Sequence, residues 1–268
     1  MKKSLLALAA TLAATAMPTL VHAEDAPSTS FNVGVVTDYR YRGISQSRLK
    51  PALQGGVDYS HPSGFYLGAW GSTIKWIKDG GTIYNEAFGT NVDVGSANVE
   101  VDLYGGYKGE ITKGLGYDVG GLYYWYPSNK LGRLDQVGAS NANTFELYGA
   151  LSYGVFTAKY SHSLTNLFGT GGSNGAANSK GSGYLDLSAA FDLGSGFTLT
   201  PHIGRQEVRH YSASSYTDYS LTLSKDLGQG FSVSLAAVGT DADKDAVVSP
   251  SGKFLGKNAL VLGAKFGF

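Results

Sequence analysis

The loops between Ser30 and Phe268 alternate in length, and this alternation constrains the fold more than any other feature of the chain. Every second connection is a minimal turn, at 61–64, 108–114, 153–154, 194–196 and 228–230. The connections between them are long and polar, at 77–97, 127–143, 165–183 and 241–256. A barrel held in a bilayer has tight turns on one rim and free loops on the other. The sequence therefore predicts an all-β fold, a transmembrane up-and-down antiparallel β-barrel.

The predicted strands alternate apolar and polar residues, which places successive side chains on opposite faces. Twelve such segments can be counted. In the segment 99–104 the odd-numbered residues are apolar, and the even-numbered ones are Glu100, Asp102 and Tyr104. A soluble β-sandwich also alternates, but it does not explain the loop lengths or the aromatic residues near strand ends. We therefore expect a lipid-facing outer surface and a polar lumen.

The first predicted strand runs from Phe31 to Arg42. Its alternation places Tyr39 and Tyr41 outward, where aromatic residues form girdles at the membrane interfaces. The girdle is expected to include Tyr59, Tyr123, Trp125 and Tyr219 as well.

The third predicted strand, 65–72, can be aligned in two ways. We favour the alignment in which Phe65 and Leu67 face lipid, because it leaves Tyr66 and Trp70 inside the barrel.

The first 23 residues have the composition of a signal peptide. Lys2 and Lys3 form a charged start, the segment 4–21 is apolar, and 21–23 fits a small-x-small cleavage site. A retained membrane anchor is the alternative, but the charged, proline-containing segment 24–30 follows at once. We predict a signal peptide at 1–23 and an outer-membrane barrel at 24–268, exported by a Gram-negative cell.

The last strand carries a signal of its own. Apolar residues alternate to the end of the chain, where Phe266 and Phe268 stand. A terminal aromatic residue on an amphipathic strand resembles the signal that the barrel-assembly machinery reads, although Val261 stands where that motif has a polar residue. We expect this machinery, outer-membrane lipids and lipopolysaccharide as partners.

Composition narrows the function classes. Without the two signal lysines the chain has 19 basic and 21 acidic residues, a formal charge of −2, which gives no reason to expect a nucleic-acid partner. The chain has no cysteine, so disulfides and thiolate metal sites are excluded. We expect no cofactor.

Four segments resemble a known family. They are DYRYRGISQ at 38–46, PALQGGVDY at 51–59, GFYLGAW at 64–70 and LYGGY at 103–107. Together they are similar to the proteobacterial outer-membrane family Gcw_chp, whose name marks conserved hypothetical proteins. The resemblance implies an outer-membrane barrel, but no settled activity and no catalytic residues.

The predicted lumen is rich in charge. Twelve strands give a backbone diameter of roughly 24 Å, of which side chains leave about half. Ten inward acids, Asp192 among them, face four inward bases. The main candidates for lining the lumen are Asp38, Arg40, Arg42, Asp58, Glu100, Asp102, Asp118, Glu146, Lys159 and Asp186. Rings of charge select ions in pores. The sequence favours a narrow porin-like channel that prefers cations or neutral solutes.

Two other roles remain open for this lumen. Its charges could pair with one another and plug a structural or adhesive barrel. Arg40 and Arg42 could grip a carboxylate on a passing solute, or pair with acids on neighbouring strands.

A lipid-modifying enzyme is the remaining alternative. Its chemistry needs a serine activated by a histidine that a third polar group orients. His162 and Ser163 are neighbours on a strand and face opposite sides, while His202 has no evident partner in the sequence. We therefore predict that the protein is not an enzyme.

Overall fold

The computed structural model describes residues 26–85, 90–249 and 252–268. The predicted signal peptide at 1–23 lies outside these ranges. In chain order the elements are β1 Ser28–Val36, β2 Arg40–Tyr41, β3 Ile44–Ser45, β4 Ala52–Ser60, β5 Phe65–Thr73, α1 Trp76–Gly80, β6 Thr82–Asn85, β7 Thr90–Asp93, β8 Val99–Thr112, β9 Leu115–Trp125, a 3-10 helix Leu131–Val137, β10 Thr144–Tyr153, β11 Phe156–Ser163, a 3-10 helix Leu167–Gly169, β12 Gly183–Ala189, β13 Phe191–Gly194, β14 Phe197–Glu207, a 3-10 helix Ser212–Ser214, β15 Tyr216–Gly228, β16 Phe231–Thr240 and β17 Ala259–Gly267.

The long strands form one closed antiparallel barrel. Each pairs with its sequence neighbour in the barrel, and β1 pairs with β17 to close the sheet. β12 and β13 follow each other along the same edge of β14 and both pair with it, so they are two parts of one barrel strand. The described residues thus contain twelve barrel strands, which confirms the predicted fold. Among those same residues, no helix is long and apolar enough to cross a membrane.

The two faces of the wall differ as the alternation predicts. Apolar side chains are exposed on the outside of every barrel strand, while most inward side chains are polar or aromatic. The third barrel strand, β5, settles the ambiguous alignment: Phe65 and Leu67 are exposed and Tyr66 is buried. The outer surface is therefore apolar, as lipid requires.

The first barrel strand is shorter than predicted. Pairing between β1 and β4 ends at Val36 and Ala52, and the chain between them leaves the wall. Within this excursion β2 and β3 form a small antiparallel hairpin, residues 38–47, hereafter the lumen hairpin. Tyr39 is buried inside the barrel, so its expected place in the outer aromatic girdle was wrong. The expected place of Tyr41 in that girdle was also wrong, because its ring packs on Tyr124 inside the barrel.

The excursion and the other long loops lie on one rim, here called the loop rim, and the tight turns lie on the other, the turn rim. Near the loop rim, loop residues pack into the barrel and form an apolar cluster with side chains of the wall. The cluster includes Tyr39, Ile74, Ile77, Tyr124, Tyr126 and Val261. The core of the protein is therefore the loop-rim half of the lumen.

Candidate functional site

The lumen hairpin turns at Arg42 and Gly43. Both residues have positive φ, 46° and 78°, as in the tight turns that suit two-stranded hairpins. Asn and Gly favour this backbone region, whereas a long side chain adopts it at a cost. The turn therefore holds an arginine where the backbone alone would favour another residue.

The tip of the lumen hairpin contacts the wall two and three barrel strands from β1. Gly43 lies against Thr240 on β16 and Asp218 on β15, and a Cβ atom at Gly43 would stand 2.8 Å from the Cβ of Asp218. Only glycine fits this close approach. The chain that leaves the wall at β1 thus extends into the lumen.

Arg42 fixes the tip to three barrel strands. Its Nη2 donates to Glu146 Oε2 on β10 at 2.7 Å, and its Nη1 donates to Gln206 Oε1 on β14 at 2.6 Å. Its guanidinium carbon stands 4.2 Å from the ring centre of Tyr184 on β12. Arg42 and Glu146 are both buried, and removing one partner of a buried ion pair leaves an uncompensated charge. These contacts hold the lumen hairpin in one position.

Asp38 organises the base of the lumen hairpin. It accepts hydrogen bonds from Arg40 Nε at 2.8 Å and Ser45 Oγ at 2.5 Å, and a longer one from Ser47 Oγ at 3.2 Å. Arg40 Nη1 also donates to the carbonyl of Lys257 at 2.7 Å. The base is thereby tied to the loop between β16 and β17.

Tyr39 joins the lumen hairpin to the wall three barrel strands from β1 in the other direction. Its hydroxyl donates to Glu100 Oε1 on β8 at 2.5 Å. Burial, and then the charge of Glu100, raises the pKa of Tyr39 well above its usual range. The hydroxyl therefore stays protonated and remains a donor.

The wall below the lumen hairpin repeats one arrangement. Tyr104 on β8 lies over Gly68 on β5, and its hydroxyl donates to Asp58 on β4. A Cβ atom at Gly68 would overlap the tyrosine ring, so glycine is what lets the ring lie flat against the wall. Gly68 pairs with both Tyr104 and Asp58 in the register of the sheet.

Two further tyrosines use the same device across three strands. Tyr66 on β5 lies over Gly106 on β8, and its hydroxyl donates to Asp118 on β9 at 2.5 Å. Tyr184 on β12 lies over Gly204 on β14 and donates to Asp218 on β15 at 2.9 Å. The tyrosines and glycines in which this chain is rich are thus used together.

These hydrogen bonds have an electrostatic consequence. A tyrosine hydroxyl satisfies a carboxylate as a donor, but it carries no positive charge. Asp58, Glu100 and Asp118 are bonded in this way, whereas Glu146 is paired with an arginine. Asp102 is buried, and its oxygens have no hydrogen-bond partner among the described residues. These tyrosine hydroxyls therefore satisfy lumen carboxyl groups without bringing a positive charge to them.

Two lysines of the lumen lie on tyrosine rings. Lys159 Nζ stands 4.0 Å from the ring centre of Tyr148, and Lys108 Nζ stands 5.4 Å from that of Tyr66. Lys108 was missed by the sequence analysis, which placed it at the start of a turn, whereas β8 continues to Thr112. The face of an aromatic ring attracts cations, so these contacts stabilise the two lysines.

His202 has two partners that the sequence did not reveal. Its Nε2 lies 2.9 Å from Asp218 Oδ1, and its Nδ1 lies 3.2 Å from Asp186 Oδ2. An imidazole whose nitrogens both face carboxylates is not placed to activate a serine. His162 is exposed and Ser163 is buried, so they face opposite sides as expected.

The other predicted residues divide by position. Asp58, Glu100, Asp102, Asp118, Glu146, Lys159 and Asp186 point inward from barrel strands, but Asp38, Arg40 and Arg42 belong to the lumen hairpin and not to the first strand. Asp192 pairs with Thr198 on the inward face of the sheet, but it lies exposed at the turn rim, where it accepts a bond from the backbone of Gly194.

Phe266 and Phe268 lie at the closing seam of the barrel. Their rings stack at 5.4 Å, and Phe268 also stacks on Phe31 of β1 at 5.6 Å. The end of the chain is thus joined to its first strand by aromatic contacts. Their role as an assembly signal stays a prediction.

A cavity of about 330 Å³ opens at the loop rim above the lumen hairpin. Its wall includes Tyr41, Trp76, Phe168, Gln206 and Tyr216. Gln206 is also the acceptor for Arg42, so the floor of this vestibule adjoins the arginine site. In the described part of the chain, no group of three or more His, Asp or Glu side chains could hold a metal ion.

Comparisons with known proteins agree with this geometry. The Gcw_chp family model, described as bacterial protein of unknown function, matches residues 22–268. No curated protein sequence matches the chain. Two similar solved structures are KdgM porin, with a TM-score of 0.52 and 7% identity, and NanC porin, with 0.50 and 11%. Each alignment covers 89% of this chain and 99% of the other.

A third similar structure is KdgM porin in complex with disordered oligogalacturonate, with a TM-score of 0.51 and 7% identity over 89% of this chain and 99% of the other. At these identities the likeness shows the fold. Together with the apolar outer surface, it identifies the chain as a β-barrel of the bacterial outer membrane.

Proposed function

The chain belongs to the Gcw_chp family of bacterial proteins, and we propose that it is a narrow outer-membrane channel for small cationic or neutral solutes. The observation that carries this proposal is the set of lumen carboxylates held by tyrosine hydroxyls. Asp58, Glu100 and Asp118 line a passage that the lumen hairpin narrows, and the tyrosine hydroxyls that donate to them bring no positive charge. Fixed negative charge at a constriction attracts cations and repels anions.

The charge sign separates this proposal from one structural neighbour. KdgM porin has been solved in complex with oligogalacturonate, whose galacturonate units carry carboxylates. In this chain the inward acids outnumber the inward lysines and arginines, and only part of them are paired with cations. We therefore propose that this channel prefers cationic solutes over anionic ones.

Planar-bilayer recording tests the proposal. Reconstituted protein should give discrete conductance steps, and the reversal potential in a KCl gradient should show a preference for K⁺ over Cl⁻. Asp192→Asn is a suitable control, because this carboxylate is exposed at the turn rim. Absence of steps in many trials, with folded barrel in the bilayer, would instead indicate a plugged structural barrel.

We propose that the chain is exported by cleavage after Ala23 and inserted by the barrel-assembly machinery, with lipopolysaccharide as a neighbour in the membrane. The alternating apolar face that ends at Phe266 and Phe268 supports this proposal. Deletion of Phe268 should lower the yield of heat-modifiable barrel without blocking secretion. Unchanged yield would show that this residue is dispensable.

We also propose that the barrel is not an enzyme, because His202 lies between two aspartates and His162 lies on the outer face. Fatty-acid release from lipid by the purified protein, lost in His162→Ala or His202→Ala, would contradict this.

A further inference from the structure

We propose that Arg42 is a built-in stand-in for the transported solute: Glu146, Gln206 and Tyr184 form a binding site for the guanidinium group of an organic cation, which displaces Arg42 and frees the lumen hairpin. This inference rests on the proposed channel function and names the solute class. The site lies on the wall of the barrel, and the side chain that occupies it comes from a loop.

The site has the contacts that guanidinium recognition requires. Two hydrogen bonds, of 2.6 and 2.7 Å, take separate nitrogens of Arg42 to an amide oxygen and a carboxylate. The ring of Tyr184 covers the face of the guanidinium at 4.2 Å. A planar cation with several donors makes all three contacts at once, whereas K⁺ or Na⁺ can make neither the directed hydrogen bonds nor the flat stacking.

The backbone of Arg42 points to a role beyond the turn. The residue has a φ of 46°, in a region that favours Gly or Asn, and it precedes a glycine that also has positive φ. Backbone strain of this kind persists where the surrounding structure holds the residue for a purpose. At Arg42, the contacts of the guanidinium with Glu146, Gln206 and Tyr184 hold the residue in this conformation.

The site adjoins the loop rim at Gln206, so displacement of Arg42 would open it toward the vestibule. The vestibule above the lumen hairpin, about 330 Å³ in volume, is lined by Tyr41 and Gln206, both of which contact Arg42. A solute that carries one guanidinium group fits a cavity of this size. At its rim Arg48 is paired with Asp79 and is therefore not directed toward the lumen.

The variant Arg42→Gly isolates the proposed site. Glycine suits the positive φ of the turn, so the lumen hairpin keeps its backbone while the site loses its occupant. Arg48→Gly is the matched control, because Arg48 also has positive φ, 62°, but lies on the vestibule rim, away from Glu146. Both variants are to be compared with the unmodified protein in lipid nanodiscs and in planar bilayers.

The probe is methylguanidinium chloride, with NaCl at the same concentration as the salt control. Arg42→Gly should bind methylguanidinium in calorimetry about tenfold or more tightly than the unmodified protein or Arg48→Gly, as expected when a competing charged group is removed. Adding Glu146→Gln to Arg42→Gly should abolish this gain. In bilayers, Arg42→Gly should conduct more than the unmodified protein, and methylguanidinium should block it where NaCl does not.

The outcomes separate this inference from the channel proposal. If Arg42→Gly conducts but binds methylguanidinium no better than Arg48→Gly, the channel stands and the guanidinium site is overturned. If no protein conducts, calorimetry still decides, because Glu146-dependent binding supports the site and its absence refutes it. A gain in Arg42→Gly that survives Glu146→Gln would also refute it, since it would show a general effect of removing positive charge.

Discussion

Side chains of the lumen hairpin and of the lumen wall both bind carboxyl groups of the barrel, but they reach them over different distances. In the lumen hairpin, Arg42 reaches from the loop after β1 to Glu146 and Gln206, on the opposite side of the barrel. In the wall, Tyr66 and Tyr104 reach carboxylates only two strands away, across a glycine on the strand between. The wall contacts are fixed by the register of the sheet, whereas the reach of the lumen hairpin to β10 and β14 depends on one side chain.

This contrast indicates which part of the lumen can change. Barrel strands have their backbone hydrogen bonds satisfied by their neighbours, so the wall cannot move without breaking the sheet. The lumen hairpin has a short ladder, Arg40 opposite Ser45 and Tyr41 opposite Ile44, and its backbone bonds to the rest of the chain go to loop residues such as Leu255 and Lys75. We therefore expect the lumen hairpin to be a constriction that can move, and the wall around it to be rigid. The following changes test this difference.

Removal of the lumen hairpin should have the largest effect. Replacing residues 38–50 by a short Gly-Ser linker leaves the pairing of Val36 with Ala52 intact and clears the centre of the passage. Single-channel conductance should rise by about tenfold, because the free cross-section then approaches that of an open barrel of this size. The control replaces residues 243–245, which are exposed. Unchanged conductance would mean that the constriction lies elsewhere.

Gly68→Ala should disturb the wall itself. The added methyl group overlaps the ring of Tyr104, which has to leave the wall and give up Asp58. Overpacking of this kind costs about 1–3 kcal/mol, and the thermal unfolding of the barrel should report it. In the control Gly149→Ala the new methyl group meets only Val119 Cγ1, at 3.9 Å. Equal stability of the two variants would refute the role of glycine beneath the tyrosine.

Asp118→Asn should have the smallest effect, on selectivity alone. Asparagine can still accept from Tyr66, but the wall loses one negative charge, so the K⁺ to Cl⁻ permeability ratio should fall by about twofold. Tyr66→Phe removes the donor and keeps the charge, and it should change the ratio less. The reverse order would show that hydrogen bonding, and not charge, sets selectivity.

The alternation of apolar and polar residues was enough to predict the wall, because its period is a local property of each strand. The lumen hairpin was missed because the same period continues through Tyr39, Arg40, Tyr41 and Arg42 after the strand has ended. Two signals in the sequence could have revealed it. A tilted strand needs only about 9–11 residues to span the bilayer, and Gly43 marks a turn directly after Arg42.

The tyrosine arrangement and the partners of His202 could not be predicted from one sequence. They depend on which residues face each other across strands, such as Tyr66 with Gly106 and Lys108 with Asp118. That register is set by pairing over the whole barrel, and a single chain gives each strand only its own alternation.

The lumen hairpin crosses the barrel through the contact of Arg42 with Glu146. Cross-linking can measure whether these two residues lie beside each other. The chain has no cysteine, so Arg42→Cys with Glu146→Cys gives two unique thiols. A short cleavable bismaleimide should bridge them in the folded barrel, lower the single-channel conductance below that of the unbridged variant, and release it on cleavage. If each cysteine alone reacts with maleimide but the pair is never bridged, the lumen hairpin does not cross the barrel as described.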